Sequence, residues 1–308
     1  MPRPFILLVT LLLLAAPARA QAPDPALSPV VEGLEVVAKA PGPALWRVSR
    51  GDSQVIVMGT VSPVLHQLTW DDKRLRRHLT GARQLLVPSR VTGGAKAALT
   101  FAVRDRARLR EDTPLSKRLP PALAARFATD AAVARQPASK YDRWKPTAAG
   151  LMLLRDFDEA AGLSRGKPII TVTRMAGKMR VPVKSAGRLD VASVLKDGTR
   201  LDDAENLACL AVLLEQLERL AGAPGELGRA WANADLRAVN RLYTPRGQEQ
   251  CPLLNPLLDR EVAETTALVE QALKVPGRSV AVIDMSLLLR PGGVLDRLDD
   301  AGARVDTP

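Results

Sequence analysis

Two apolar runs near opposite ends of the chain restrict its fold most: "VIVMGT" at Val55–Thr60 and "SVAVID" at Ser279–Asp284. Each is a short, almost uninterrupted apolar stretch, as expected of a strand buried on both faces. Such strands need cover on both sides, so the two are expected to share one sheet although most of the chain lies between them. The first run follows "ALWRVS" and "RGDS", a pattern that predicts a β-hairpin with a tight turn. "RQLLVPS" predicts a third strand stopped by Pro88, "KPIITVT" and "MRVPVKS" predict two short strands, and "ARVDT" a closing edge strand. The second run is read as one buried strand through "GRSVAVIDMSLLL", followed by a "PGG" turn and a short helix, "VLDRLDDAG".

Helical patterns fill the middle, from about Thr100 to Leu163 and again after the short strands. "TWDDKRLRRHLTGA" predicts an earlier helix with Asp71 or Asp72 as its cap, Leu75 and Leu79 on one face, and Gly81 as its stop. "PPALAARFATDAAVAR" and "KPTAAGLMLLRDFDEAAGL" start with prolines suited to a first helical turn. "DDAENLACLAVLLEQLERLAG", "ELGRAWANADLRAVNRLY" and "LLDREVAETTALVEQAL" read as three more amphipathic helices. The fold class is therefore α/β: a mixed central sheet built from N- and C-terminal strands, with a helical middle region, over residues 43–308.

The first 20 residues read as a cleavable secretory signal. Arg3 supplies a basic start, Phe5–Ala16 is nearly all apolar, and Ala18 and Ala20 form the small-residue cleavage pattern. The apolar run is shorter than the roughly 20 residues a bilayer span needs, and no cysteine follows Ala20 to carry a lipid anchor. Residues 21–42 are a leader or linker. The mature protein is thus expected to be periplasmic or secreted and not an integral membrane protein. Export disfavours nucleic acid as a partner. The net charge of +11 comes from scattered Lys and Arg, so a solvated surface is the plain reading and attraction to an acidic envelope polymer the sharper one. Aromatic residues make up 3% of the chain, too few for a protein that reads sugars or bases by stacking. The partner expected is an acidic envelope polymer or another envelope protein.

The two cysteines, Cys209 and Cys251, predict one disulfide in an oxidising compartment. A catalytic thiol is the alternative and would need His66 or His78, the only histidines. Ser62 with His66 as base is a possible nucleophilic pair, although no Gly-x-Ser-x-Gly elbow surrounds it. His66 and His78 with Asp71 or Asp72 are a possible cation site, but His78 lies in the arginine-rich "KRLRRH". Asp284 is an acid in an otherwise apolar strand and requires a partner, for which Arg260 is the candidate. Trp46, Trp70, Trp144 and Trp231 all have apolar neighbours and read as packing residues.

Several stretches together resemble the TraB/PrgY/GumN family, which includes the Tiki proteins. They are "PALWRVSRGDSQVIVMGTVSPVLHQLTW", "YDRWKPTAAGLMLL", "AWANAD" with Ala234 where the family has glycine, "LLDREV" with Arg260 followed by Glu261 in place of asparagine, and "VAVIDMSLLLRPGGVLDRLDDAGARV". The resemblance implies an erythromycin-esterase-like fold and a divalent-metal hydrolase site. Two Gly-x-x-His motifs and a glutamate would supply its ligands and its acid–base group. Here the first motif is Gly59-Thr60-Val61-Ser62, the glutamate position falls near Pro88, and the second motif aligns on Asp284-Met285-Ser286-Leu287. Serine, proline and leucine stand where the chemistry needs imidazole and carboxylate. The expectation is a vestigial pocket at Gly59, Ser62, Pro88, Arg260, Asp284 and Leu287, with no catalytic residue, no metal and no other cofactor. The function expected is binding or scaffolding in the cell envelope; the alternative is a diverged hydrolase working through non-family groups such as Ser62, Asp284 and Arg260.

Overall fold

The hairpin forms as read. Strand β1 (Leu45–Arg50) pairs antiparallel with β2 (Ser53–Thr60), and the turn between them places Gly51 at a φ of +53°. A computed structural model describes residues 42–92, 106–243 and 250–308 of the chain. The expected signal segment 1–20, the leader up to its last residue and the start of the predicted middle helices fall outside those residues.

The strands of the C-terminal part come back to the hairpin. In chain order the remaining strands are β3 (Val64–Leu65), β4 (Leu85–Val87), β5 (Arg90–Thr92), β6 (Leu163–Ser164), β7 (Val183–Ser185), β8 (Arg188–Asp190), β9 (Gly277–Asp284) and β10 (Arg304–Asp306). Six of them make the main sheet in the order β10-β1-β2-β9-β4-β7. β9 lies parallel to β2 over its whole length, from Ser53↔Gly277 to Thr60↔Asp284. β4 and β7 continue the parallel half, while β10 closes the other edge antiparallel to β1. β2 and β9 are central, and Val55, Val57, Val280 and Ala281 have no exposed surface, as their unbroken apolar runs require. The sheet is therefore mixed, and both ends of the described chain contribute to it. Two short pairs stand apart: β3 with β6, and β5 with β8.

The middle region is helical: Pro121–Val133, Pro146–Ala160, Asp203–Ala221 and Leu254–Leu273 are its long helices. One core lies against the sheet, and a second, around Phe127, Tyr141, Leu153 and Leu210, lies between helices. Gly150 permits that helix contact, because a Cβ there would come within 2.9 Å of Leu210 and Leu213. Asp202 and Glu205 form a reciprocal capping box at the start of Asp203–Ala221, with bonds of 2.8 and 2.9 Å. Among the described residues, no helix is long and apolar enough to cross a membrane.

Three local readings are corrected, and the cap expected at Asp71 or Asp72 is narrowed. "KPIITVT" is the start of a helix, Lys167–Lys178, and not a strand. Pro168 sits in its first turn, and Pro168, Val172, Met175 and Ala176 bury one helical face, while Ile170 is 55% exposed. The β-branched residues imitated a strand locally, but their burial follows the helical period. "ELGRAWANADLRAVNRLY" is two helices, Glu226–Ala232 and Leu236–Tyr243. The chain breaks at Asn233-Ala234 because Asp235 accepts from the Ala238 amide at 3.1 Å and so starts a new helix. The last strand stops at Asp284, whose carboxylate caps the helical turn Met285–Leu288. At the Lys73–Leu79 helix the cap position is Asp72, yet its side chain makes no cap bond; it grips Arg76 at 2.7 Å, and Asp71 accepts from the Lys73 amide instead. Leu75 and Leu79 are buried there, as expected.

Cys209 and Cys251 are joined, with Cα atoms 4.4 Å apart and a sequence separation of 42. Both are buried, which sets aside the catalytic-thiol alternative. Closing a loop of that length restricts the unfolded chain by about 4 kcal/mol on the chain-entropy account. Replacing both cysteines by alanine should lower the unfolding free energy by about that amount, measured by urea denaturation with and without reductant. The reductant should change nothing in the double variant.

Ala234 holds a φ of +50°, a left-handed conformation that costs a residue with a Cβ roughly 1 kcal/mol. Ala234→Gly should therefore stabilise the protein by about 1 kcal/mol and raise Tm by about 2–4 °C. Scanning calorimetry decides it; an unchanged or lower Tm would show that the surroundings carry the strain without cost.

Candidate functional site

The parallel strands β2 and β9 end side by side, and ligands of open α/β sheets bind at the carboxyl ends of such strands. The register sets Thr60 opposite Asp284. Gly59 lies just before this end. A Cβ on it would stand 2.8 Å from both Trp46 and Met285, and its carbonyl accepts the Trp231 indole N–H at 2.6 Å. Glycine is thus needed for close packing of the strand end against Trp46 and Met285. Trp70 meets Trp231 edge to face at 5.0 Å between ring centres. Trp46 and Trp231 are fully packed, in line with their reading as packing residues.

Asp284 is the centre of the polar cluster. Its Oδ1 accepts from the Ser286 amide at 2.9 Å and from the Ser286 hydroxyl at 2.6 Å. Its Oδ2 accepts from the Tyr243 hydroxyl at 2.6 Å. Burial raises the Asp284 carboxyl above the ordinary carboxylate range; bonds from Ser286 and Tyr243 oppose that rise, and the charge of Glu261 adds to it. The Tyr243 hydroxyl is raised well above its usual range, first by burial and then by the neighbouring Asp284, while the Ser62 backbone and Arg165 pull the other way. Ser62, Tyr243 and Ser286 line a cavity of about 50 Å³ together with Gln216, Arg219, Leu220 and Leu242. An enclosed cavity that takes benzene is about 150 Å³, so the space beside Asp284 is about a third of that.

The remaining expected pocket residues divide into two places. The Ser62 hydroxyl donates to the Arg165 carbonyl at 2.9 Å, which directs its proton into the backbone and away from any base. His66 is exposed, its backbone N–H donating to the Gly162 carbonyl and its carbonyl accepting from Lys167. The nucleophile pairing of Ser62 with His66 is therefore not made. Leu287 is 5% exposed and belongs to the apolar core. Pro88 ends β4, and beyond it the Ser89 amide donates to Glu261 at 2.8 Å and the Ser89 hydroxyl to Glu264 at 2.9 Å. Arg260 is not the partner of Asp284. It donates to Glu264 at 2.8 Å and to the Arg188 carbonyl at 3.0 Å, on the exposed side of the Leu254–Leu273 helix. The reason is helical geometry: Glu264 lies one turn along the same face, and Tyr243 already occupies Asp284.

The donor chemistry at these positions does not fit a divalent metal. A serine hydroxyl engaged by a carbonyl, a proline and a buried leucine offer no ligand set. Among the described residues, no group of three or more His, Cys, Asp or Glu side chains is arranged to hold a metal ion. His78 lies half-buried among arginines; burial lowers its pKa first, and the charges of Arg278, Arg74, Arg47 and Arg77 lower it further. A cation would meet the same repulsion. Sequence reading missed Tyr243, Ser286 and Arg165. Ser286 alone carried a signal, two residues beyond the one acid in the strand.

The TraB/PrgY/gumN family profile matches residues 44–307, which include the hairpin, the helical middle and both strand ends just described. The chain belongs to the TraB/PrgY/gumN family. No curated protein and no solved structure matches the chain.

A carboxyl raised in the folded state stabilises most while protonated, and that contribution is lost as pH rises through its folded pKa. Asp284→Asn removes the ionisation and keeps a capping side chain. The variant should therefore gain on the parent protein as pH rises from the acid range to neutrality. Urea unfolding of both at pH 4 and pH 7 measures this; an equal difference at the two pH values would show that Asp284 titrates normally.

Proposed function

We propose that this member of the TraB/PrgY/gumN family is exported, has lost metal-dependent hydrolysis, and works as a binding or scaffolding module in the cell envelope. The observation that carries the proposal is the donor set: the positions the family resemblance assigns to metal chemistry hold Ser62, Pro88 and Leu287, with Leu287 packed in the core. The end of β9 is instead tied to the following turn and to the Leu236–Tyr243 helix by the bonds that Asp284 accepts from Ser286 and Tyr243. Export draws support from the signal-like start of the chain and from the disulfide between Cys209 and Cys251. The net charge of +11 supports an acidic envelope polymer as one partner, bound through long-range attraction that salt would weaken. Another envelope protein is the alternative partner.

A second reading, a diverged hydrolase without metal, has one observation in its favour. Asp284 is a partly buried carboxyl with a raised pKa beside a tyrosine hydroxyl, a pairing suited to proton transfer. The small volume beside it and the engagement of Arg260 by Glu264 weigh against it.

Metal uptake by the purified protein is the test. After incubation with Mn²⁺, Co²⁺ or Zn²⁺ and removal of excess ion, elemental analysis should find no metal above background. Stoichiometric binding at micromolar affinity or tighter would overturn the proposal and restore the metallohydrolase reading. Chelator-resistant hydrolysis abolished by Asp284→Asn would favour the second reading.

A further inference from the structure

A large cavity lies among the helices of the middle region and shares Gln216 with the small cavity at the strand ends. It has a volume of about 670 Å³ and a leucine wall: Leu151 and Leu154 from Pro146–Ala160, Leu213 from Asp203–Ala221, and Leu254, Leu257 and Leu258 from Leu254–Leu273. That volume is in the range of small-molecule sites, roughly 300–1,000 Å³. Leu151 is 40% exposed at this wall, so apolar surface is left open where three helices meet.

The wall carries three charged groups, Arg155, Asp158 and Arg165. Two cations thus accompany one carboxylate. Asp158 engages Arg165 through Nε at 2.5 Å. Arg155 contacts Asp156, outside the wall, at 2.9 Å, and Asp156 is already held by Lys140 at 2.6 Å and by the Tyr141 hydroxyl at 2.7 Å. A guanidinium has five N–H donors in a planar fork, so the Nε contact of Arg165 leaves donors for a second carboxylate. Its side chain is 44% exposed and Arg155's 67%, which keeps both within reach of a ligand from solvent.

We infer that this cavity binds a single-chain anionic amphiphile, a fatty-acid carboxylate, with its chain along the leucines and its head on Arg165 and Arg155. The inference rests on the binding-module reading and names the class of ligand bound. A carboxylate pairs with guanidinium in a bidentate manner, and the excess cation on the wall disfavours an amine head. The leucines supply affinity in proportion to chain length, about 0.8 kcal/mol for each methylene buried, or roughly fourfold in Kd.

Titration calorimetry of the full chain tests this with decanoate, octanoate, 1-decanol and decylammonium, each below its aggregation concentration. Decanoate should bind once per chain, roughly fifteenfold tighter than octanoate and at least about tenfold tighter than decanol or decylammonium. Leu151→Trp, at a partly exposed helical position, should fill the wall and weaken decanoate about tenfold or more without lowering Tm. Arg165→Gln should abolish the preference for decanoate over decanol, and Arg165→Lys should keep part of it. Absence of saturable decanoate binding, equal binding of decanol, or indifference to Leu151→Trp would each overturn the inference. Failure of the binding-module reading is seen separately, as metal uptake or hydrolysis by the same preparation.

Discussion

The parallel pairing of β2 with β9 brings together residues that the chain keeps far apart. Its register runs unbroken from Ser53↔Gly277 to Thr60↔Asp284, and neither strand has a local partner that could replace the other on that side. Both are buried on two faces, so a one-residue slip would exchange the faces of every core side chain on one strand. The helical middle region has to be accommodated within that constraint. It leaves the sheet after β4, returns at β7, and leaves again before β9. Loop closure over such a distance is entropically costly and slow to reward, and the Cys209–Cys251 disulfide lowers that cost inside the returning segment.

The β2–β9 pairing also sets the position of the polar cluster. Asp284 is the last residue of a buried strand, and a bare carboxylate there would be costly. It is satisfied three times over, by the Ser286 amide, the Ser286 hydroxyl and the Tyr243 hydroxyl. One of these bonds caps the next helical turn and another ties down the end of the Leu236–Tyr243 helix. The same carboxylate therefore joins strand, turn and helix at the place where open α/β sheets put their ligands.

Legibility in the sequence followed the range of the interaction. The hairpin, the buried pair Leu75 and Leu79, the β4 strand stopped by Pro88 and the edge strand β10 are set by patterns within a few residues, and they form where the patterns lie. The sharing of one sheet by both ends was readable too, because two doubly buried runs have few other ways to be covered. Errors arose where one pattern satisfied two periods. In "KPIITVT" the β-branched residues suit a strand, but burial of Pro168, Val172, Met175 and Ala176 selects a helix. In "AWANAD" a continuous apolar stripe hid the break at Ala234, whose left-handed φ no alanine announces. The Tyr243–Asp284 bond was not readable, since its two residues are 41 apart on different elements. A tyrosine ending an amphipathic helix looks like any packing residue. Arg260 was misassigned for a related reason: a helical neighbour one turn away, Glu264, outcompetes a distant acid.

The strand ends and the leucine-lined cavity meet in two residues. Gln216 borders both cavities. Arg165 touches both regions through different atoms: its carbonyl accepts from Ser62 at the strand end, and its guanidinium holds Asp158 on the cavity wall. The bonds Asp284 accepts are internal to the fold and need no ion to close them. The strand ends therefore stay assembled while residues on the far side of Arg165 take on a different ligand. Within a fold whose sheet is held by long-range pairing, binding can change at the helices without disturbing the site at the strand ends.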